Sequence, residues 1–405
     1  MLYKFLLILI SFIIILACSE SDTTDDAYVT EIVSTSSPLP AITLQEDIKE
    51  GAKVELPIEI IDENKFIMNP EPTTTSEYEL FTQRIKEIKM TESKSIYDLE
   101  NEYYTPNRLI ELGWNKPTEK SPEFTITDDL NEEALNSVKK GVIIGTEYLG
   151  NYGPLKVFII GSDIDKAKIV AKEFCEWAYV DKVMIEHCIE KDQGIGIVEM
   201  AIYKGNNGFA QHSREIENPN QSFVMGNPDK YSVKISIHEY VHIYQNAHIV
   251  DGWWNDKEDD AGLPRWLEEG SAELLAMYLV GDYANYLSES LKIAKNFKKD
   301  NPYISIRNLE NETDLRILEN KDCLGGHCIG TLQYETGTVA TALLINQTSM
   351  DYFYKEYIPK IAYLGGKKAF ETSFNITINE FHEIFDSFLD LSVDEMMNFL
   401  NKYQE

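Results

Sequence analysis

His238-Glu239-Tyr240-Val241-His242 sets two imidazoles four residues apart, with a carboxylate directly after the first. In a helix, residues four apart lie on one face, one turn up. Both rings can then reach one metal ion, with Glu239 beside them and not among the ligands. That set suits metal-assisted hydrolysis: two nitrogens hold the ion, and the carboxylate takes a proton from a water. A five-residue match also arises by chance, so the rest of the chain must supply a third ligand and a fitting context.

A third ligand is available in Leu263-Pro264-Arg265-Trp266-Leu267-Glu268-Glu269-Gly270-Ser271-Ala272-Glu273. Pro264 suits the start of a helix. Glu269 and Glu273 are four apart and share a face. One can bind the ion while the other accepts a hydrogen bond from a ligand imidazole and fixes its tautomer. Gly270 and Ala272 are small enough to let this helix approach the one predicted over Ser232–Asn246.

Together these phrases resemble the gluzincin group of zinc metallopeptidases, in the branch where H-E-x-x-H is followed by W-L-x-E-G-x-A. Trp266 to Ala272 matches the second phrase, and the likeness extends over roughly residues 130–390. It implies that His238, His242 and Glu269 bind Zn2+, that Glu239 is the general base, and that Glu273 supports His238. It also implies a zincin-like fold with the active-site helix at the junction of a sheet and a helical region. Gln333-Tyr334-Glu335-Thr336-Gly337 resembles the Y-x-x-G phrase of these enzymes, which implies that Tyr334 donates to a developing oxyanion. The competing reading is a core tyrosine, one of 23 in the chain. The 26 residues between His242 and Glu269 exceed the usual separation. They include Trp253-Trp254-Asn255-Asp256 and an acidic run, read as a rim loop. A calcium site over Asp256–Asp260 competes there with a plain solvated loop.

The chain that must position these groups has 405 residues and a net charge of −31. No basic stripe offsets that charge, which argues against nucleic acid as a partner. No glycine-rich phosphate loop is present. Residues 1–17 read as a signal peptide, with Lys4 ahead of the apolar run Phe5–Leu16. Ile15-Leu16-Ala17-Cys18-Ser19 resembles a bacterial lipobox, which implies a lipid on Cys18 and a membrane anchor. An ordinary secretory signal or an uncleaved anchor is the alternative. The acidic residues after Ser19 are similar to surface-export tethers, implying an outer-membrane lipoprotein of the cell envelope that faces outward. Of five cysteines, Cys18 is assigned to lipid, which leaves four for disulfides in an exported protein. Three pairings are possible. The local one, Cys175–Cys188 with Cys323–Cys328, closes the shortest loops. A metal cluster at Cys323, His327 and Cys328 lacks a second close pair.

Residues 18–45 read as a flexible tether, and 46–129 as an N-terminal region of uncertain fold. Within the latter, Val54–Ile61 suits a strand, Glu77–Lys89 a helix, and Glu102–Trp114 an aromatic packing segment. Residues 130–226 form the α/β sheet part of the catalytic domain. Helices are expected over Asn131–Tyr148 and Asp163–Ala178, strands over Leu155–Ile160, Gly194–Tyr203 and Ser222–Met225, and a hairpin tip at Gly205–Gly208. Residues 227–405 form the helical part with the zinc site. Asn227-Pro228 opens it, and helices are expected over Gly262–Val280, Asp282–Phe297, Gly330–Gln347, Ser349–Leu364 and Ile378–Phe388. The fold class is α+β: a small mixed sheet with packed helices, then a mostly helical region. His382 is read as lying on a surface-leaning helix, and His212 and His248 as ordinary histidines, with a place lining the cleft as the alternative. The expected function is a zinc-dependent metallopeptidase acting on peptides or proteins. One alternative is a catalytically silent surface lipoprotein that binds glycans, peptides or a protein; another is zinc hydrolysis of a non-peptide amide. No motif for a free N-terminus is present, and nothing specifies an oligomeric state.

Overall fold

A computed structural model describes residues 106–401, apart from 204–205, 214–216, 250–261, 301, 303 and 311–328. The signal peptide, Cys18, the tether, Val54–Ile61, Glu77–Lys89, the Trp253–Asp260 segment and the Cys323–Cys328 pair lie outside the described residues. In order the elements are α1 (Pro106–Leu112), β1 (Glu123–Ile126), α2 (Glu132–Leu149), β2 (Leu155–Ile160), α3 (Ile164–Ala178), α4 (Lys182–Lys191) and α5 (Gln193–Ile202). Next come β3 (Asn207–His212), β4 (Gln221–Gly226), α6 (Val233–His248), α7 (Arg265–Val280) and α8 (Tyr283–Asp300). A short 3-10 turn, Ile306–Leu309, precedes α9 (Ile329–Asn346). Then α10 (Met350–Tyr352) runs through a π turn, Phe353–Tyr357, into α11 (Ile358–Leu364). The chain closes with α12 (Gly366–Phe374), α13 (Ile378–Phe388) and α14 (Val393–Asn401). This is the expected α+β class, a small mixed sheet in a mostly helical protein. None of the described helices is long and apolar enough to cross a membrane.

The sheet order is β1-β2-β4-β3. β1, β2 and β4 are parallel, and β3 runs antiparallel along β4, leaving β3 at an edge. Successive strand residues point to opposite faces, and the two central strands are apolar on both. Val157, Ile159, Phe223 and Met225 enter a large core shared with α2, α6, α7, α9 and the later helices. Phe158, Ile160 and Val224 enter a smaller core under α3 and α5. The disulfide Cys175–Cys188 ties α3 to α4 over that smaller core, as the shortest-loop argument expects.

Two expectations fail on this side of the sheet. Gly194–Tyr203 is not a strand but α5, and Asn207 and Gly208, expected in a hairpin tip, instead begin β3. A short apolar run carries no clear period, so tertiary packing decides its state. Here Ile197, Met200 and Ala201 pack into the smaller core. Gly194 is pressed so closely on Cys188 that an added Cβ would stand 2.7 Å from the Cys188 carbonyl oxygen. The Asn227-Pro228 start is also early. Asn227 takes a left-handed φ of 45°, and its side-chain amide donates to the carbonyls of Met200 and Tyr203. α6 begins only after Ser232.

α6 is the central helix, buried from Ser236 to His248. Glycines four apart bring α2 against it. A Cβ on Gly141 would lie 2.4 Å from Ser236 Cβ, and one on Gly145 2.6 Å from the Tyr240 ring. The expected role of Gly270 is corrected: it serves contact with α9, not with α6. A Cβ on Gly270 would lie 2.1 Å from the carbonyl carbon of Gly337, and one on Gly337 2.0 Å from the Trp266 carbonyl oxygen. Gly337→Ala is therefore expected to destabilise the protein by about 2 kcal/mol or more, because backbone must separate from backbone. The gain in helix propensity, about 1 kcal/mol, does not offset this. A urea midpoint at or above that of the parent protein would refute this account of the crossing.

Candidate metal centre

His238 and His242 stand one turn apart on α6, with their Nε2 atoms 3.1 Å apart. α7 brings Glu269 Oε2 to 3.4 Å from the first and 3.3 Å from the second. All three residues lie in the protein interior. Glu269 Oε2 is buried and accepts no hydrogen bond. A buried carboxylate oxygen without a donor is costly unless a cation meets it. The distances test that cation. The edge of a tetrahedron is about 1.6 times its bond length, so bonds of ~2.0–2.1 Å need donor separations of about 3.3–3.4 Å. The observed triangle has nearly those edges, so His238, His242 and Glu269 form a group that could hold a metal ion.

Both imidazoles have their far nitrogens occupied. His238 Nδ1 donates to Glu273 Oε2 at 3.0 Å, and His242 Nδ1 donates to Gln245 Oε1 at 2.7 Å. Those bonds fix the ring orientations and turn each Nε2 inward, where its lone pair can meet an ion once the Nε2 proton has left. Gln245 is held in turn, its amide donating to the Glu268 carbonyl at 3.0 Å and Ser271 Oγ at 2.9 Å. Glu273 is also paired with Lys234, whose ammonium lies 5.3 Å from the Tyr286 ring centre. Behind it, Glu335 accepts from Ser290 Oγ at 2.5 Å and from the Tyr286 hydroxyl at 3.4 Å.

The charges follow this packing. Burial alone would raise Glu273, but Lys234 and His238 outweigh it and hold the carboxyl well below the usual range. Burial opposes the charged form of His238 too, yet Glu269 and Glu273 push its pKa up to about 10. His242 is raised in the same way, chiefly by Glu269 against burial. Glu269 is driven low, with Arg265 and His242 overcoming burial. Glu239 behaves differently: burial dominates and raises it, with only partial relief from the two histidines.

Glu239 sits beside the ligand set, its Cγ 3.2 Å from where a Gly208 Cβ would be, so β3 passes directly over it. Tyr334, at the start of α9, brings its half-buried ring to 5.6 Å from the His238 ring. Every residue proposed from the two motif phrases thus converges, and Tyr334 joins them. Arg265, Gln245 and Lys234 were not anticipated. Their signal was present in the spacing. Arg265 lies four before Glu269, Lys234 four before His238, and Gln245 three after His242, all distances at which helical side chains meet.

Of the remaining described histidines, His187 is half-buried and His212, His248 and His382 are interior. His382 is not on a surface-leaning face. It is buried against Trp266, with Nε2 2.8 Å from Glu310 Oε1, and an exposed neighbourhood of acidic residues in sequence concealed this. His212 is buried edge-on to Trp114. His248 is buried between Tyr152 and Tyr244, and burial lowers its pKa to about 3. No protein-family model matches the chain, and neither a curated protein nor a solved structure was found to match it.

Proposed function

We propose that the protein is a zinc-dependent peptidase with a zincin-like fold, as its two motif phrases suggest. The observation that carries this reading is the triangle of His238 Nε2, His242 Nε2 and Glu269 Oε2, sized for a tetrahedral ion with a position left open. Zinc is the metal this imidazole and carboxylate set suits, and when bound it supplies a Lewis acid that polarises a carbonyl and acidifies water. Glu239, one residue from His238, accepts the proton of the attacking water and delivers it to the leaving amine. Its raised pKa makes it a stronger base than an exposed glutamate. Tyr334 donates to the oxyanion from beside the His238 ring.

The position of β3 supports a peptide as the substrate. Among the described residues it is an edge strand of the sheet, and Gly208 on it packs on Glu239. An extended peptide can add to such an edge through its backbone, which presents its amides in line with the site. A lipid on Cys18 would hold this activity at the outer face of the envelope.

The test is zinc content by elemental analysis of the purified full chain, followed by a mixed peptide library with and without a chelator. Stoichiometric zinc and chelator-sensitive cleavage are expected. Zinc without any peptide product would return the protein to a binding role or to a non-peptide amide. A protein without zinc would remove the reading altogether.

A further inference from the structure

Arg265 opens α7, and its backbone is pinned by donation from its N–H to the Glu310 carbonyl at 2.8 Å. Its guanidinium then meets two successive carboxylates. Nη2 lies 2.7 Å from Glu269 Oε1, and Nη1 lies 2.9 Å from Glu268 Oε2. The fork is planar and its donors point in fixed directions, so both carboxylates restrain it. We propose that Arg265 is a positioning residue that occupies Glu269 Oε1 so that the carboxylate meets the metal through Oε2 alone.

This rests on the reading of His238, His242 and Glu269 as metal ligands. A carboxylate can bind a cation through one oxygen or both. A hydrolytic site needs three protein donors and a vacant position, and a second oxygen from Glu269 would fill that position. Oε1 is taken by Arg265, whereas Oε2 faces the imidazoles without a hydrogen-bond donor. A guanidinium does not lose its proton in the working range, so the restraint persists at every pH of interest. Its positive charge also draws on the carboxylate, so Glu269 neutralises the ion less and leaves it more electrophilic.

The test uses the full chain loaded with cobalt(II), whose visible absorption is strong in four-coordinate sites and weak when more donors bind. Arg265→Met frees Oε1. The expected result is a loss of about half or more of the visible band, from the change in geometry. Zinc affinity, measured by competition with a chromophoric chelator, is expected to hold or rise, because a repelling cation has gone. A residue that merely packs α7 would give the opposite pattern: weaker metal binding with band intensity per bound cobalt unchanged. That pattern overturns the proposal. Arg265→Gln gives the same readout where the Met variant does not fold, and parental intensity in whichever variant folds also overturns it. If the unsubstituted protein takes up no cobalt, the failure lies with the metal-site reading itself, and the proposal falls with it.

Discussion

Glu239→Gln is expected to leave zinc content at the parental level and to lower kcat for peptide hydrolysis by about 10²–10⁴-fold, the usual contribution of a positioned base. Gln keeps the size and a hydrogen-bonding end but cannot take a proton. Since Glu239 is outside the three-atom ligand set, the metal loses no donor. The same substitution should raise thermal stability near neutral pH. Burial lifts the Glu239 pKa, which means that its charged form is disfavoured in the folded protein. Stability from such a group is lost as pH rises above its unfolded value, the reverse of a paired carboxylate. A residue whose buried charge costs stability is expected at a working site. Hydrolysis within tenfold of the parent would remove Glu239 from its role. A lower midpoint together with lost zinc would make it structural.

The helix pair that makes the candidate site was legible because the chemistry proposed for it demands rigid spacing. His238 and His242 must be one turn apart to share an ion, and Glu269 and Glu273 one turn apart to divide ligand and support between them. Those constraints survive whatever packs around them. The disulfide Cys175–Cys188 was legible for a related reason, as closing a short loop needs little else. Elements whose state depends on distant partners were not. Gly194–Tyr203 became a helix because of the core beneath it, and β3 carries too few β-formers in Asn207-Gly208-Phe209-Ala210-Gln211-His212 to announce a strand. The Gly270 and Gly337 crossing needs two segments far apart in sequence, and neither glycine points to the other. His382 misled through composition, since its acidic neighbours face outward while its own ring turns in toward Trp266. Arg265, Gln245 and Lys234 could have been found from helical spacing alone. They were hidden because long polar side chains usually belong to solvent, and only the buried ligands give them a reason to turn inward.

Zinc added to the metal-free protein near neutral pH is expected to expel protons, and its apparent affinity should climb steeply with pH. A ligand imidazole must be neutral to bind. In the metal-free site, Glu269 and Glu273 overcome burial and hold His238 protonated until about pH 10, and His242 is raised as well. The ion must therefore displace at least the His238 proton. Each displaced proton adds about tenfold in affinity per pH unit, or roughly 1.4 kcal/mol, at pH values below the raised pKa of the histidine that releases it. The stability of the metal-free protein runs the other way. A raised histidine contributes stability that is fully present below its unfolded pKa of 6.5 and is lost as pH rises through about 10. The melting temperatures of chelated and zinc-loaded protein should thus diverge as pH increases from about 6.5 toward 9. With zinc at about a thousand times Kd, the loaded form gains about 4 kcal/mol. Calorimetric titration in buffers of different ionisation enthalpy counts the protons directly. His242→Ala should erase the zinc-dependent rise in melting temperature while leaving the chelated protein folded, because Gln245 keeps its bonds to Glu268 and Ser271. A melting gap that is constant across this pH range, or zinc binding without proton release, would show that the carboxylates do not hold the histidines charged.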